Sequence, residues 1–196
     1  MAPLESFHPA EEYHQDHLAK NPTATCHIAP SAFERAASTT RQRRFPRDDE
    51  QLRALLTPVQ YEIAVHGATE ADHSGEFDEH FDPGLYVDVA SGEPLFVSSQ
   101  KFGAGCGWPS FARPVSADAV VEREDLSRAR TRTEIRSAVS DIHLGHVFED
   151  GPEELGGRRN CINSAVLRFV PRDHMEQEGY GHLVAQVDAE TARSRR

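Results

Sequence analysis

The sequence predicts a mainly β domain that follows short helices, and two observations support this fold class. Beyond residue 67 the chain alternates turn residues with short runs rich in Val, Ile, Thr, Phe and Tyr, a pattern typical of a small antiparallel β domain. Before residue 67, Leu52 and Leu55 have helical spacing, and Thr57 and Pro58 provide an N-cap and a first-position proline for a second helix. The predicted strands span residues 85–89, 94–98, 119–123, 132–137, 144–148 and 162–170.

The composition restricts the class of protein. The chain has 196 residues, of which 38% are hydrophobic and 27% charged, as expected for a soluble globular protein with one ordinary domain and an additional segment. It shows no apolar stretch long enough for a membrane span and no signal peptide pattern, so we expect a cytoplasmic protein without a membrane partner. The formal net charge of -11 argues against nucleic acid as a partner.

Cys161 is notable because cations and an amide surround it in the sequence. A thiol acts as a nucleophile in its thiolate form, and Arg158, Arg159 and Asn163 are groups that favour the thiolate. Alternate residues of a strand share a face, which would place Arg159, Cys161 and Asn163 together. The alternative is a buried structural cysteine, since free cysteines are among the most buried residues. Both interpretations remain open from this stretch alone.

A glycine-rich loop at residues 101–111 contains a second cysteine, Cys106, and the only tryptophan of the chain, Trp108. A rigid aromatic ring beside a thiol can form an apolar pocket for a methyl or thioether group, because sulfur contacts with aromatic rings are favourable. The alternative is a core tryptophan in a tight loop. Further along, His143 and His146 are suited to acid and base catalysis near neutral pH or to metal binding, but no third ligand follows at a recognisable spacing.

The N-terminal stretch contains Pro-Ala-Glu, Tyr-His-Gln and Lys-Asn-Pro motifs, followed by Cys26. This order resembles the C-terminal tail of methionine sulfoxide reductase A. We expect the domain that precedes such a tail in that family to be absent here, and we therefore expect Tyr13 and Cys26 not to perform its chemistry. We interpret residues 1–27 as a helical remnant of that reductase and residues 28–48, which lack an apolar period, as a flexible linker.

Four longer motifs follow in order: Gly105-Cys106-Gly107-Trp108-Pro109-Ser110-Phe111, His143-Leu144-Gly145-His146-Val147-Phe148, Asp150-Gly151-Pro152 and Cys161-Ile162-Asn163-Ser164-Ala165. In order and spacing they resemble methionine sulfoxide reductase B, over residues 56–183. The resemblance implies two small antiparallel β-sheets packed together with short helices outside, and reduction of the R epimer of methionine sulfoxide. We therefore expect a reductase domain over residues 49–183 and a frayed tail over residues 184–196.

The resemblance also implies roles for eight residues: Cys161 as nucleophile, Cys106 as resolving thiol, His146 and Asn163 as further catalytic groups, Trp108 and His143 as substrate-binding groups, and Asp150 and Arg159 as a charged rim of the substrate pocket. It implies a cysteine sulfenic acid, then a Cys106-Cys161 disulfide that thioredoxin or another dithiol reduces. The expected substrates are oxidised proteins and free methionine sulfoxide. The expected biological role is repair of oxidative damage, performed by a monomer.

One departure from the family concerns metal. Many members hold a structural zinc with two Cys-x-x-Cys pairs, and the matching positions here are Asp88, Ser91, Ser137 and Ser140. One carboxylate and three hydroxyls do not form a tetrahedral zinc site, so we predict no zinc and no other cofactor. We hypothesise that these four residues still converge and hydrogen-bond, linking the same two loops.

Three alternatives stay open at this point. A histidine-based metal-binding β domain would bind metal stoichiometrically and tolerate the loss of Cys161. A non-catalytic interaction module would keep the fold without turnover. Within the reductase interpretation, Cys26 is an alternative resolving thiol, and replacing Cys106 would then leave thioredoxin-supported turnover intact.

Overall fold

The structure is a computed structural model, and it describes residues 48–127 and 131–189. The helices of the described residues are α1 (Asp49–Leu55), α2 (Pro58–His66) and α3 (Val184–Asp188). Each of these described helices is too short or too polar to cross a membrane. The predicted N-terminal helix and Cys26 lie outside the described residues.

The two helices predicted before the β domain are confirmed, and local side chains explain where the second begins and ends. The Thr57 hydroxyl accepts the backbone N–H of Gln60 at 3.3 Å, while the Gln60 side chain accepts the backbone N–H of Thr57 at 2.9 Å. This reciprocal pair is a capping box, and it satisfies two N–H groups that have no partner inside the helix. At the other end, Gly67 adopts a left-handed conformation with φ of 67° and stops α2.

The strands form two antiparallel sheets. The first contains β1 (Gly84–Asp88), β2 (Pro94–Val97) and β9 (Leu167–Pro171), in the order β2-β1-β9. The second contains β3 (Lys101–Phe102), β4 (Ser110–Phe111), β5 (Val120–Asp125), β6 (Arg132–Ser137), β7 (His143–Phe148) and β8 (Arg159–Ile162), in the order β3-β4-β8-β7-β6-β5. The predicted mainly β class, with two antiparallel sheets and flanking N-terminal helices, is confirmed.

The single strand predicted at residues 162–170 is wrong, because the structure divides this run between the two sheets. After β8 the chain forms a 3-10 turn at Ser164–Val166, and β9 then pairs with β1. The backbone changes partners at this turn. The Asn163 N–H still bonds a carbonyl of β7 at 2.9 Å, whereas the Val166 carbonyl already accepts an N–H from the residue after β1 at 3.1 Å. Because the turn is as apolar as the strands, the residue pattern does not reveal it.

Large apolar side chains from both sheets fill the space between them. Tyr86 and Phe96 of the first sheet and Phe111 and Leu144 of the second are 0% exposed. Phe96 and Phe111 stack across the two sheets, with ring centroids 4.5 Å apart. Burial of such side chains is the main favourable term in folding. This core supports β4, β7 and β8, the strands that carry the candidate site.

The outer face of the first sheet is covered by the C-terminal part of the described chain. Val187 of α3 is 3% exposed and belongs to an apolar cluster on this face. Arg172 donates two hydrogen bonds to the carboxylate of Asp188, at 3.0 and 2.7 Å. The predicted start of the frayed tail at residue 184 is therefore wrong, because residues 184–188 form a helix that packs on the sheet.

Candidate active site

Cys161 lies at the centre of three neighbouring strands. In the register of the second sheet it pairs with Ser110 on β4 and with His146 on β7. Directly opposed residues of antiparallel strands project to the same face, so these three side chains lie on one face of the sheet. β7 comes close to β8 at Gly145, where an added Cβ atom would lie 2.0 Å from the Cys161 carbonyl oxygen. This close contact between the strands explains why residue 145, between the two histidines, is a glycine.

The loop between β3 and β4 brings Cys106 to the same place. Its Sγ lies 3.9 Å from the Sγ of Cys161, and both thiols are free. Gly105 and Gly107, on either side of Cys106, have φ of 65° and 88°, values that glycine adopts without steric cost. The fold thus joins two predicted site cysteines that are separated by 55 positions in the sequence.

The two thiols differ in their tendency to ionise. Burial raises the pKa of Cys161 to about 12; the neighbouring Cys106 adds to the rise and Arg159 opposes it. Burial acts in the same direction on Cys106, but hydrogen bonding, led by Ser110, outweighs it and lowers the pKa of Cys106. Once one thiol is ionised, its charge disfavours a second thiolate nearby. We therefore assign the first thiolate of the reduced pair to Cys106.

The cationic setting predicted around Cys161 is only partly present. Arg159 favours the thiolate as predicted, but burial of the thiol has the larger effect. Arg158 instead forms ion pairs with Glu122 at 2.8 Å and with Glu149 at 3.4 Å. The two arginines are adjacent in the chain and point in different directions, as expected for successive residues at the start of a strand.

Trp108 and Asn163 are both held by Glu70, a residue of the loop between α2 and β1. The indole N–H of Trp108 donates to the Glu70 carbonyl oxygen at 3.2 Å. The Glu70 N–H donates to Oδ1 of Asn163 at 3.1 Å, and Nδ2 of Asn163 donates to the Leu144 carbonyl oxygen at 3.0 Å. With its only polar group engaged, Trp108 offers a ligand the apolar surface of its ring.

Each of the two predicted histidines is paired with a carboxylate. Nδ1 of His143 lies 2.7 Å from Oε1 of Glu134, and Nε2 of His146 lies 2.8 Å from Oδ2 of Asp125. The imidazole rings contact each other edge to face, with centroids 5.3 Å apart. Burial lowers the pKa of His143, although Glu134 acts in the opposite direction. A carboxylate bound to one ring nitrogen fixes the orientation of the ring.

These two carboxylates are themselves held by other groups. Hydrogen bonds from Ser127, and then from its histidine, keep the pKa of Asp125 well below its usual range. For Glu134, burial acts to raise the pKa, but hydrogen bonds from its histidine and from Arg136 outweigh burial and lower it. Both carboxyl groups are therefore ionised near neutral pH and available as acceptors for the imidazole N–H groups.

Asp150 and Arg159 form an ion pair at the edge of the site. Nε and Nη2 of Arg159 donate to the two carboxylate oxygens of Asp150, each at 2.8 Å, and these bonds lower the pKa of Asp150. The guanidinium group also stacks on the ring of Phe148, 4.4 Å from its centroid. A cavity of about 490 Å³ opens beside this pair and is lined by Cys106, Pro152 and the preceding glycine-rich loop.

The eight residues predicted for the site thus lie on β7, on β8 and the residue directly after it, in the loop that follows β7 and in the loop that contains Cys106. A family model described as a SelR domain matches residues 56–171, more than half of the 196 residues. The chain belongs to the SelR domain family. Members of this family are peptide-methionine (R)-S-oxide reductases, so this protein is an oxidoreductase of that class. A second family model, described as Peptide methionine sulfoxide reductase, matches residues 1–45. Both resemblances seen in the sequence are confirmed.

In this SelR domain the four residues that match family zinc ligands are joined by hydrogen bonds. The Ser140 hydroxyl donates to Oδ2 of Asp88. Oδ1 of Asp88 accepts the backbone N–H groups of Ala90 at 2.7 Å and Ser91 at 3.1 Å. The Ser137 hydroxyl accepts the Ser140 N–H at 3.4 Å. The predicted convergence is confirmed, and it links the end of β1 to the turn between β6 and β7.

These four residues do not fit a zinc ion. Both carboxylate oxygens of Asp88 already accept protein N–H or O–H groups, and serine hydroxyls are not the thiolate, imidazole or carboxylate ligands that zinc requires. Across residues 48–127 and 131–189, no group of three or more His, Cys, Asp or Glu side chains is placed to hold a metal ion. The absence of zinc stays a prediction that metal analysis of the purified SelR domain protein can test.

Four further residues contact the predicted set: Glu70, Ser110, Asp125 and Glu134. The acidic members had no individual signal, because the chain contains 32 Asp and Glu residues. A partial signal existed for Glu134, since the predicted strands at 132–137 and 144–148 are joined by a short turn and place it near the histidines. Glu70 lies in a loop without periodic pattern, and the sequence offers no signal for its contacts.

Proposed function

We propose that this SelR domain reduces methionine (R)-sulfoxide by thiol chemistry, with Cys161 as the nucleophile and Cys106 as the resolving thiol. The observation that best supports this assignment is the 3.9 Å separation of the two free thiols beside a histidine that is oriented by a carboxylate. A thiol pair at this distance can cycle between the reduced form and a disulfide after a small movement.

In the first step, the sulfur of Cys161 attacks the sulfoxide sulfur and the sulfoxide oxygen is transferred to Cys161. Methionine leaves, and Cys161 remains as a sulfenic acid, so the cysteine sulfur loses the two electrons that the substrate sulfur gains. The proton of the Cys161 thiol ends on the transferred oxygen, and the step balances without an external proton. Burial raises the pKa of Cys161 and so opposes its thiolate, and the attack therefore needs a group that takes the thiol proton as the sulfur attacks and delivers it to the sulfoxide oxygen.

His146 transfers this proton in our proposal. It lies directly opposite Cys161 on β7, and its Nε2 is engaged by Asp125, which leaves Nδ1 for proton exchange. Imidazole exchanges protons readily near neutral pH, and a group of this kind can protonate a sulfoxide oxygen as the sulfur is attacked. His143 packs against the His146 ring and completes the polar side of the pocket with Asn163.

In the second step, the Cys106 thiolate attacks the sulfur of the Cys161 sulfenic acid. A Cys106-Cys161 disulfide forms, and the hydroxyl group leaves as water after taking up a proton. The two sulfur atoms must approach from 3.9 Å to about 2.05 Å, and the glycines on either side of Cys106 make that movement feasible. The lowered pKa of Cys106 favours this role, because the thiolate is the attacking species.

An external dithiol then reduces the disulfide by exchange, and we propose thioredoxin for this role. The cavity beside Cys106, next to the Asp150 and Arg159 pair, gives a reductant access to the disulfide. Trp108 provides the apolar wall for the substrate methyl group. Because oxidised proteins and free methionine sulfoxide present the same reacting group, we propose both as substrates and protein repair as the biological role.

The test is dithiothreitol-supported turnover of the separate R and S epimers of dabsylated methionine sulfoxide. We expect the wild-type chain to consume the R epimer, and Cys161→Ser to lose this turnover because the nucleophile is removed. Cys106→Ser should keep turnover with dithiothreitol, which reduces the sulfenic acid directly, and should lose it with thioredoxin.

Cys26→Ser is the matched control, since Cys26 is the only other thiol of the chain. It should behave as wild type with both reductants. Undiminished activity of Cys161→Ser would contradict the nucleophile assignment. Undiminished thioredoxin-supported turnover of Cys106→Ser, together with a loss in Cys26→Ser, would transfer the resolving role to Cys26.

A further inference from the structure

Glu70 makes hydrogen bonds with its backbone and with its side chain, and all of them lead to the site. Its backbone carbonyl and N–H hold Trp108 and Asn163, as described above. Its carboxylate accepts the backbone N–H groups of Ser164 and, at 2.9 Å, of Ala165, at the turn directly after Asn163. Glu70 is separated from this turn by more than ninety positions, so it ties a distant loop to the end of β8.

The loop around Glu70 fits closely against the same turn. The Phe77 N–H donates to the Ser164 hydroxyl at 2.7 Å, and a Cβ added to Gly75 would lie 2.4 Å from the Ser164 Cβ. On the opposite side, the His73 N–H donates to the carbonyl oxygen of Gly107 at 2.9 Å. The loop therefore bridges the segment that contains Trp108 and the segment that contains Cys161 and Asn163.

The two N–H groups that Glu70 binds require a carboxylate rather than an amide. A carboxylate presents two acceptor oxygens, whereas a glutamine presents one oxygen and one NH₂ group that would face an N–H donor. Burial raises the pKa of the Glu70 carboxyl, and the hydrogen bonds from Ser164 and Ala165 oppose this rise. Partial burial of this carboxylate costs free energy. Its presence here therefore indicates that its hydrogen bonds to Ser164 and Ala165 do more than keep the loop soluble.

We propose that Glu70 is a positioning residue for the reductase, which sets the placement of the Trp108 ring relative to Asn163 and Cys161. Its carboxylate fixes the Glu70 backbone, and that backbone orients the indole through one hydrogen bond and the Asn163 amide through another. This inference rests on the proposed function, in which Trp108 receives the substrate methyl group. Trp108 binds that group in the ground state and in the transition state alike, so displacing the ring changes KM more than kcat.

The test compares Glu70→Gln with Glu76→Gln, an exposed glutamate of the same loop whose replacement removes the same charge. For Glu70→Gln we expect KM for dabsylated methionine (R)-sulfoxide to rise about tenfold with little change in kcat, the effect of losing one charge-assisted hydrogen bond. Glu70→Asp, which keeps the charge but is one methylene shorter, should not restore the wild-type KM. Glu76→Gln should match wild type.

Acrylamide quenching of tryptophan fluorescence reports the exposure of the Trp108 ring. A Glu70 that only stabilised the fold would not change this exposure in the folded protein. Trp108 is the only tryptophan of the chain, so the whole signal reports on its ring. We expect stronger quenching in Glu70→Gln and Glu70→Asp than in wild type and Glu76→Gln. Wild-type quenching or a wild-type KM in both Glu70 variants would overturn the inference.

The fluorescence measurement also separates this inference from the proposed function. Quenching does not require turnover, so it tests the Glu70 contact even in a preparation without substrate. A wild-type chain that fails to reduce the R epimer would defeat the proposed function. Normal wild-type turnover combined with unchanged quenching in the Glu70 variants would defeat the positioning role alone.

Discussion

Cys106 and Cys161 are identical side chains whose surroundings give them opposite tendencies. Cys161 lies in β8 between two other strands, where its partial burial favours the thiol form. Cys106 lies on a loop beside an open cavity, with Ser110 within 3.5 Å of its sulfur. A half-buried nucleophile is less accessible to unrelated oxidants and thiols, whereas the resolving thiol must reach both Cys161 and an external reductant. The difference in position therefore matches the difference in proposed role.

Replacing Cys106 with serine should lower the pKa of Cys161. The Cys106 thiolate is a negative charge close to Cys161 and disfavours its ionisation, and a serine hydroxyl stays neutral. Because burial remains, the pKa of Cys161 should stay above that of an ordinary cysteine. The measurement is the rate of alkylation of Cys161 by iodoacetamide as a function of pH, followed by mass spectrometry. Cys26→Ser is the control, and an unchanged or higher midpoint in Cys106→Ser would contradict the coupling.

Single residues differ in how well the sequence predicts their place in the site. The thiols and Trp108 occur in long motifs with rare residues, so a resemblance identifies them. Asp125 and Glu134 reach the histidines only through the cross-strand register of β5, β6 and β7, which includes an irregularity after Ile135. A shift of one residue would move those side chains to the other face of the sheet. The short turn between β6 and β7 indicates that Glu134 lies near the histidines, but no residue pattern in the sequence specifies the exact register.

At the scale of secondary-structure elements, a hydrogen bond between the Asp88 and Ser140 side chains joins the two sheets. Asp88 ends β1 in the first sheet, and Ser140 lies in the turn between β6 and β7 of the second. Their side chains are 0% and 6% exposed, respectively. A hydrogen bond to a buried carboxylate is worth more than one at the surface, because water cannot replace the lost donor. The pair therefore acts as a link between elements that are distant in the sequence.

Ser140→Ala should destabilise the fold by about 1–3 kcal/mol, because it leaves one oxygen of the buried Asp88 carboxylate without its donor. The measurement is the free energy of unfolding from urea denaturation monitored by circular dichroism. The matched control is Ser91→Ala, whose side chain accepts the N–H of Glu93 at 3.2 Å. If Ser140→Ala lowers the free energy of unfolding no more than Ser91→Ala does, the Asp88–Ser140 hydrogen bond contributes no particular stability.

The sequence predicts some of the helices and strands better than others, and the reasons are physical. Both helices before the β domain have local signals in the sequence, leucines at helical spacing for α1 and the Thr57 cap with Pro58 for α2, so they could be located from it. The strand predicted at 132–137 matches the observed bounds of β6. β3 and β4 have two residues each and exist only because they pair with each other and with β8. Such short strands have no periodicity to detect.

At the scale of the whole molecule, the residues assigned to the reaction lie inside one family match. The SelR domain covers residues 56–171, and this range contains the two site thiols, the histidines with their carboxylates, and Glu70. Residues 1–45 match the other methionine sulfoxide reductase family and contribute Cys26. The activity of the β domain and any contribution from the N-terminal segment can therefore be tested separately.

Removal of residues 1–45 should leave dithiothreitol-supported turnover of the R epimer within about twofold of the full chain, because no proposed catalytic residue is lost. Asp48, which caps α1 through the Gln51 N–H at 2.8 Å, remains in the shortened chain. The measurement is kcat/KM for both chains, with thermal unfolding as a check on folding. A loss of more than about tenfold would show that the β domain needs the N-terminal segment for its basal reaction.

The thioredoxin-supported rate of the same shortened chain separates two roles for Cys26. If Cys106 alone resolves the sulfenic acid, the shortened chain and Cys26→Ser should both match the full chain with thioredoxin, as they do with dithiothreitol. If Cys26 resolves the sulfenic acid in place of Cys106, both should fall with thioredoxin while the dithiothreitol rate is unchanged. The 3.9 Å gap between Cys106 and Cys161 favours the first outcome, because direct attack across that gap needs no third thiol.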